Sequence, residues 1–244
     1  MKPSPDSPAL ETYLLGHVDF AEVQLLQRRL VYELGERGEA CLILCEHPPT
    51  ISVGRSGSRA HIRPDDDSLR GMGIGVHWVN RGGGCVLHLP GQISAYLAMP
   101  LRPPVLTLAG YLSGLEQTLL AVLDEFNLRG EVRPNHPGVF LGRARVATVG
   151  VAVNRWIAYH GFSLNVGPCL DLFDVLDEPG IDGAPLRQTS MESRLQRHIP
   201  MSRAREAIIR HLQRVFTLER HHLYTGHPLI HRKVLSHVYA PSPG

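Results

Sequence analysis

Lysine is almost missing from this chain: Lys2 and Lys233 stand at the two extremities, and between them every fixed positive charge is an arginine. An arginine holds anions, but it stays charged at any working pH and cannot serve as a proton-accepting base, which excludes amine catalysis from the body of the chain. Cysteine is sparse as well. Cys41, Cys45, Cys85 and Cys169 form no CxxC pair, and a chain of 244 residues needs no disulfide staple, so a reducing cytoplasm is the expected compartment. No stretch approaches the ~20 apolar residues of a membrane span. Met1 to Leu10 is a Pro- and Ser-rich polar leader that lacks the apolar run of a signal peptide. Neither sign of charge dominates: a formal net charge of +2 gives no field that would draw nucleic acid. The Lys-Ser or Lys-Thr of a P-loop and the third glycine of a dinucleotide fingerprint are both absent.

What is present centres on Arg81-Gly82-Gly83-Gly84-Cys85-Val86-Leu87-His88-Leu89-Pro90-Gly91-Gln92. Three successive glycines let backbone approach a ligand closely and turn N–H groups toward a carbonyl or phosphate, with Arg81 as an adjacent cationic fork. The alternative is a plain Gly-rich hairpin between strands near 76–80 and 85–88. Either way a single domain is expected, because 43% hydrophobic residues supply a substantial core.

Along the chain, Asp19 is a candidate helix cap, with Val23, Leu26, Leu30 and Leu34 at helical spacing after it. Cys41 to Cys45 reads as a buried strand with both cysteines in the core, and His47 as a solvated loop histidine or a substrate contact. Residues 55 to 75 read as an irregular surface loop whose Asp65-Asp66-Asp67 point apart and form no cation site. A helix is expected over 105–126, set by Pro103-Pro104, and strands over 138–141, 146–153 and 156–164, with Asn154-Arg155 as the turn between the last two. Residues 167–194 read as loop, and Met201 to Leu218 as an amphipathic helix. The expected divisions are a leader at 1–10, a domain at 11–220 and a basic tail at 221–244. The tail's His221, His222, His227, His231 and His237 match no zinc spacing, so no metal is expected.

The glycine segment through His88, Pro90, Gly91 and Gln92 resembles the signature of the octanoyltransferases of lipoate biosynthesis. Glu46-His47-Pro48-Pro49 with Gly54-Arg55, Gly138-Val139-Phe140, Arg155-Trp156, Tyr159-His160-Gly161-Phe162 and Leu164-Asn165-Val166 follow in that family's order, over roughly residues 10 to 220. The resemblance implies an α+β fold, one domain with a mixed sheet flanked by helices. It also implies octanoyl-acyl carrier protein as donor and, as acceptor, a lysine of lipoyl domains, in 2-oxoacid dehydrogenases or the glycine cleavage H protein. It calls for no cofactor and suggests a monomer. Carried over, the substrate-binding residues are Arg81, Gly82, Gly83, Gly84, Cys85, Val86, Leu87, His88, Thr148, Val149, Gly150, Gly161, Phe162 and Ser163.

Two departures cut against catalysis. The family has a lysine where this chain has Arg145 and a cysteine where it has Pro179. Proline offers no nucleophile and arginine no base, so the thioester route lacks both partners. Cys85 and Cys169 are the thiols left to replace the missing one. Three readings follow: an octanoyltransferase using another nucleophile, an acyl-chain or lipoyl-domain binder without turnover, and an ATP-dependent lipoate or biotin ligase, whose Gly-Gly-Gly-Ala-Val-x-His loop the segment also resembles.

Overall fold

The computed structural model describes residues 9–37, 39–178 and 185–230. In chain order the elements are β1 (Ala9–His17), α1 (Phe20–Arg37), β2 (Ala40–Glu46), β3 (Thr50–Val53), α2 (Asp66–Gly71), β4 (Gly75–Trp78), β5 (Cys85–His88), β6 (Gln92–Pro100) and α3 (Leu108–Glu125). There follow β7 (Glu131–Arg133), β8 (His136–Leu141), β9 (Ala144–Asn154), β10 (Ile157–Asn165), β11 (Arg187–Gln188), α4 (Met191–Leu195), α5 (Met201–Val215) and β12 (Arg220–Thr225). The large sheet runs β12-β1-β2-β6-β10-β9-β8-β7, with β11 beside β9, and a small sheet runs β4-β3-β5. β1 pairs in parallel with both β12 and β2, whereas β2 to β7 along the sheet are antiparallel neighbours, so the sheet is mixed.

The alternation of side chains along β2 builds both faces of this sheet. Leu42 and Leu44 join the core under α3 and α5, while Cys41, Ile43 and Cys45 join the core under α1. On α3 the stripe Leu115, Leu119, Val122 and Leu123 is fully buried, each side chain contributing about 1.5–3 kcal/mol of transfer free energy. α1 begins as expected: Asp19 Oδ1 accepts from the Ala21 amide at 2.8 Å, and Val23, Leu26, Leu30 and Leu34 are buried. A third core, with Ile51, Val53, Leu69, Cys85 and Leu87, lies behind the small sheet.

Several expectations are corrected. β4 and β5 do not form a hairpin across the glycines. Both pair with β3, one in parallel and one antiparallel, so the glycine loop crosses between them. Residues 55 to 75 are not featureless: Asp65 Oδ1 accepts from the Ser68 amide and caps α2, and Asp66 and Asp67 pair with Arg59 and Arg70. α3 starts at Leu108, capped by Thr107, because the hydroxyl offers the free amides an acceptor and Pro103-Pro104 lie farther upstream. The β9–β10 turn is Arg155-Trp156, both with positive φ, one residue later than expected. The stretch from 167 contains a 3₁₀ turn (Leu170–Val175), β11 and α4. The first tail residues are not appended: β12 extends the large sheet, and His221 Nε2 lies 3.1 Å from Thr12 Oγ1. Pro179 and the last residues of the tail lie outside the described residues.

Candidate functional site

The glycine loop is fixed by backbone before any side chain enters. Gly54 N donates to Gly84 O at 3.0 Å, Arg55 N to Arg81 O at 3.0 Å, Ser56 N to Gly83 O at 3.1 Å and Gly82 N to Val151 O at 2.8 Å. This packing needs Gly54 to be glycine, since a Cβ there would stand 2.4 Å from Gly83 O and 2.7 Å from Arg81 Nη1. Sequence reasoning placed Gly54 only in a motif; nothing local marks its contact with a loop about thirty residues away.

Three separate segments meet at one cavity: Arg81, Val86 and His88 from the loop and β5; Thr148 and Gly150 from β9; Gly161, Phe162 and Ser163 from β10. Phe20, Ser52, Ser94, Tyr96 and His160 complete the lining. Of the residues expected there, Cys85 and Leu87 face the core behind the small sheet, and Val149 faces the main core. Strand alternation is the reason, for only every second residue of β5 or β9 reaches the same face. Gly82, Gly83 and Gly84 are not among the lining residues; Gly82 O lies 2.9 Å from where a Cβ of the lining Gly150 would stand, so the loop's backbone borders the cavity. The cavity that the lining residues enclose is compact, ≈ 30 Å³, with one polar wall. That volume suits a water molecule, and an alkyl chain needs it to be wider.

The polar wall is a directed chain of hydrogen bonds. Arg81, buried, donates through Nη2 to Ser52 O at 2.7 Å and to Ser52 Oγ at 2.8 Å. Ser52 must therefore accept, and it passes its own proton to the nearer His88 Nε2 at 2.9 Å. His88 Nδ1 then donates to Ser94 Oγ at 3.3 Å, and Ser94 bonds the Tyr96 phenol. Tyr96 donates to His47 Nε2 at 2.7 Å, and His47 Nδ1 ends the chain on Val18 O at 2.8 Å. His47, expected to be solvated, is 1% exposed. Burial pushes its pKa down to about 4, and burial together with the neighbouring His47 and Arg81 holds His88 well below the usual range. His160 Nε2 lies 3.1 Å from Asn80 Oδ1, whose amide nitrogen donates to Tyr159, and burial and Arg81 lower the ring's pKa to about 3. Even Arg81 is drawn down, by burial, to about 10, where it remains charged at neutral pH. Ser52, Ser94 and Tyr96 carried no motif signal; only their shared face on β3 and β6 joins them.

Arg145, at the family's lysine position, pairs through Nη2 with Glu178 Oε2 at 2.8 Å. Cys85 points at Ser58 O, 3.6 Å away, and burial raises its thiol pKa. Cys169 is exposed at the start of the 3₁₀ turn and is not among the cavity's lining residues. Among the described residues no cluster of metal-ligating side chains occurs, and no helix is long and apolar enough to cross a membrane.

Compared with known proteins, residues 19–213 match the lipoyl protein ligase A/B catalytic domain. The chain is similar to the octanoyltransferase of Syntrophobacter fumaroxidans, 36% identical over 203 residues covering 83% of this chain and 88% of that protein. It is also 36% identical to the octanoyltransferase of Roseiflexus sp. over 215 residues, 86% of this chain and 88% of that one. Among solved structures, lipoate-protein ligase A bound with ATP superposes with a TM-score of 0.72 at 14% identity, covering 88% of this chain and 89% of its own. A bi-partite lipoate protein ligase from Thermoplasma acidophilum, described with its E2 lipoyl domain, gives 0.71 at 13% identity, covering 89% and 86%. At such identities the structural likeness shows the fold: a single α+β domain with a mixed sheet between helices.

Proposed function

The chain belongs to the lipoyl protein ligase A/B catalytic-domain family, and from that premise we propose that it performs octanoyl transfer in lipoate biosynthesis. The octanoyl group leaves octanoyl-acyl carrier protein and is joined in amide linkage to a lysine of a lipoyl domain, in a 2-oxoacid dehydrogenase or the glycine cleavage H protein. The observation that carries this reading is the meeting of the glycine loop, β9 and β10 around one cavity, with the apolar Val86 and Phe162 beside the cation of Arg81. In this reading the alkyl chain lies along the apolar residues and the thioester carbonyl faces the glycine rim, where close backbone approach is possible.

A second reading is favoured by a specific observation: Arg145 is already engaged by Glu178, and the loop's own thiol faces away from the cavity. In that reading the protein binds acyl chains or lipoyl domains and does not turn over. Incubation with octanoyl-acyl carrier protein and an unmodified lipoyl domain, read by intact mass, separates the two. An octanoyl gain on the lipoyl domain without ATP supports transfer; retained carrier binding with no gain supports the binder. A gain from free octanoate that requires ATP would replace both with a ligase.

A further inference from the structure

Neither Arg145 nor Glu178 lines the cavity; the pair sits against the glycine loop beside it, where Glu178 also lines a second cavity with Leu186 and Gln188. The two side chains of the pair are 12% and 11% exposed, and Glu178 Oε1 lies 2.9 Å from where a Cβ of Gly84 would stand, so the carboxylate rests directly on the glycine loop. A β-bulge brings Arg145 there. β8 and β9 slip register between Val139 and Phe140, which leaves Val146 as the extra residue. Val146 and Ala147 both face the core, so Arg145 shares a face with Thr148 and Gly150. Gln188 on β11, its amide turned to suit both partners, accepts from Arg145 Nη2 at 3.0 Å and donates to Arg145 O at 3.2 Å.

The remaining groups near the rim cannot take a proton readily. His47 and His88 have both ring nitrogens engaged in the directed chain. His160 spends one nitrogen on Asn80, and its other sits in the field of Arg81. Cys85 is turned into the core behind the small sheet. Against the glycine loop, the Glu178 carboxylate offers an oxygen that can accept a proton.

Resting on the octanoyl-transfer reading, we propose that Glu178, held by Arg145, is a catalytic carboxylate for direct transfer in a single displacement. The acceptor lysine attacks the thioester carbonyl while the acyl group is still on its carrier. The N–C bond forms and the C–S bond breaks. The proton lost by the nitrogen passes to Glu178 and from it to the departing sulfur, so amine plus thioester becomes amide plus thiol with no group left on this chain. Arg145 holds the Glu178 carboxylate against the glycine loop through their 2.8 Å ion pair, and its charge offsets the oxyanion of the tetrahedral intermediate.

The test uses the full chain, octanoyl-acyl carrier protein and an unmodified lipoyl domain. Initial rates over a grid of both substrates should give intersecting reciprocal plots, and intact mass with the carrier alone should show no octanoyl adduct. Glu178→Gln should lower kcat by ~10²-fold or more, the range of general acid–base catalysis, with carrier affinity unchanged. Glu178→Asp should keep part of the rate, which controls for folding. Parallel reciprocal plots with a hydroxylamine-sensitive adduct, or a Glu178→Gln variant at full kcat, would overturn the single displacement while leaving octanoyl transfer in place. Carrier binding with no transfer by the wild type would instead refute the transfer reading and this step with it.

Discussion

The buried histidines make a sharp prediction about acid. His47, His88 and His160 are neutral in the folded protein because burial disfavours their charged forms. In the unfolded chain each has a pKa of about 6.5. A folded pKa depressed below the unfolded one contributes stability that is complete above the unfolded value and is lost as pH falls toward the folded value. For His47 that window runs from about 6.5 to about 4, and for His160 from about 6.5 to about 3. At pH 5 the unfolded state has gained a proton at His47 and at His160 and the folded state almost none, a difference from pH 7 of about 2 kcal/mol for each of these two rings. His47 and His160 together give about 4 kcal/mol, a large share of the whole stability of a typical domain, about 5–15 kcal/mol, and His88 acts in the same direction. Urea unfolding followed by tryptophan fluorescence at steps from pH 7 to pH 5 should therefore show the midpoint falling steeply. His47→Asn should lower stability at pH 7 and also flatten that dependence. A midpoint that holds steady over this range, or a His47→Asn protein with the wild-type slope, would refute the assignment of neutral buried rings.

Gly54→Ala should displace the glycine loop, because its Cβ collides with backbone at Gly83 O; lost octanoyl-carrier affinity in a folded variant is the readout. Gly83→Val acts differently. Its Cβ has room, with Arg81 Nη1 the nearest atom at 3.5 Å, but its φ of +86° strains any L side chain by about 1–3 kcal/mol, so thermal unfolding should record it. Arg81→Lys loses the fork to Ser52 O and Oγ and should cost about 1.5–3 kcal/mol in chemical denaturation. Arg145→Lys combined with Pro179→Cys supplies an amine and a thiol at the family positions; that protein should acquire a hydroxylamine-sensitive octanoyl adduct that the wild type lacks.

Periodic segments were legible in the sequence. The α1 stripe, the Leu stripe of α3, the two-faced β2 and the β8–β10 meander follow from spacing and punctuation that act over a few residues. What escaped depends on contacts between distant residues. His47 looks like a loop residue until Val18 and Tyr96 close around it, and Ser52 and Ser94 carry no motif at all. The glycine segment reads as a hairpin because β4 and β5 flank it, yet β3 intervenes between them. Glu178 carried no signal of its own within the loop expected at 167–194, since the pairing that sets it on Gly84 is made by Arg145, thirty-three residues earlier. The Val146 bulge was equally hidden, for an extra residue in a strand has no composition of its own.

The outer edge of the large sheet carries a consequence for the order of assembly. β1 is the first strand described and β12 the last, and Ala9 lies opposite Arg220. During synthesis β2 can pair with one side of β1 early, but the other side waits until the chain beyond α5 has left the ribosome. For most of translation, then, the growing domain exposes an unpaired strand edge holding Leu10 and Leu15, a template for misassociation with neighbouring nascent chains. A chain terminated before Arg220 keeps that edge open permanently, and it should aggregate more readily than the full chain.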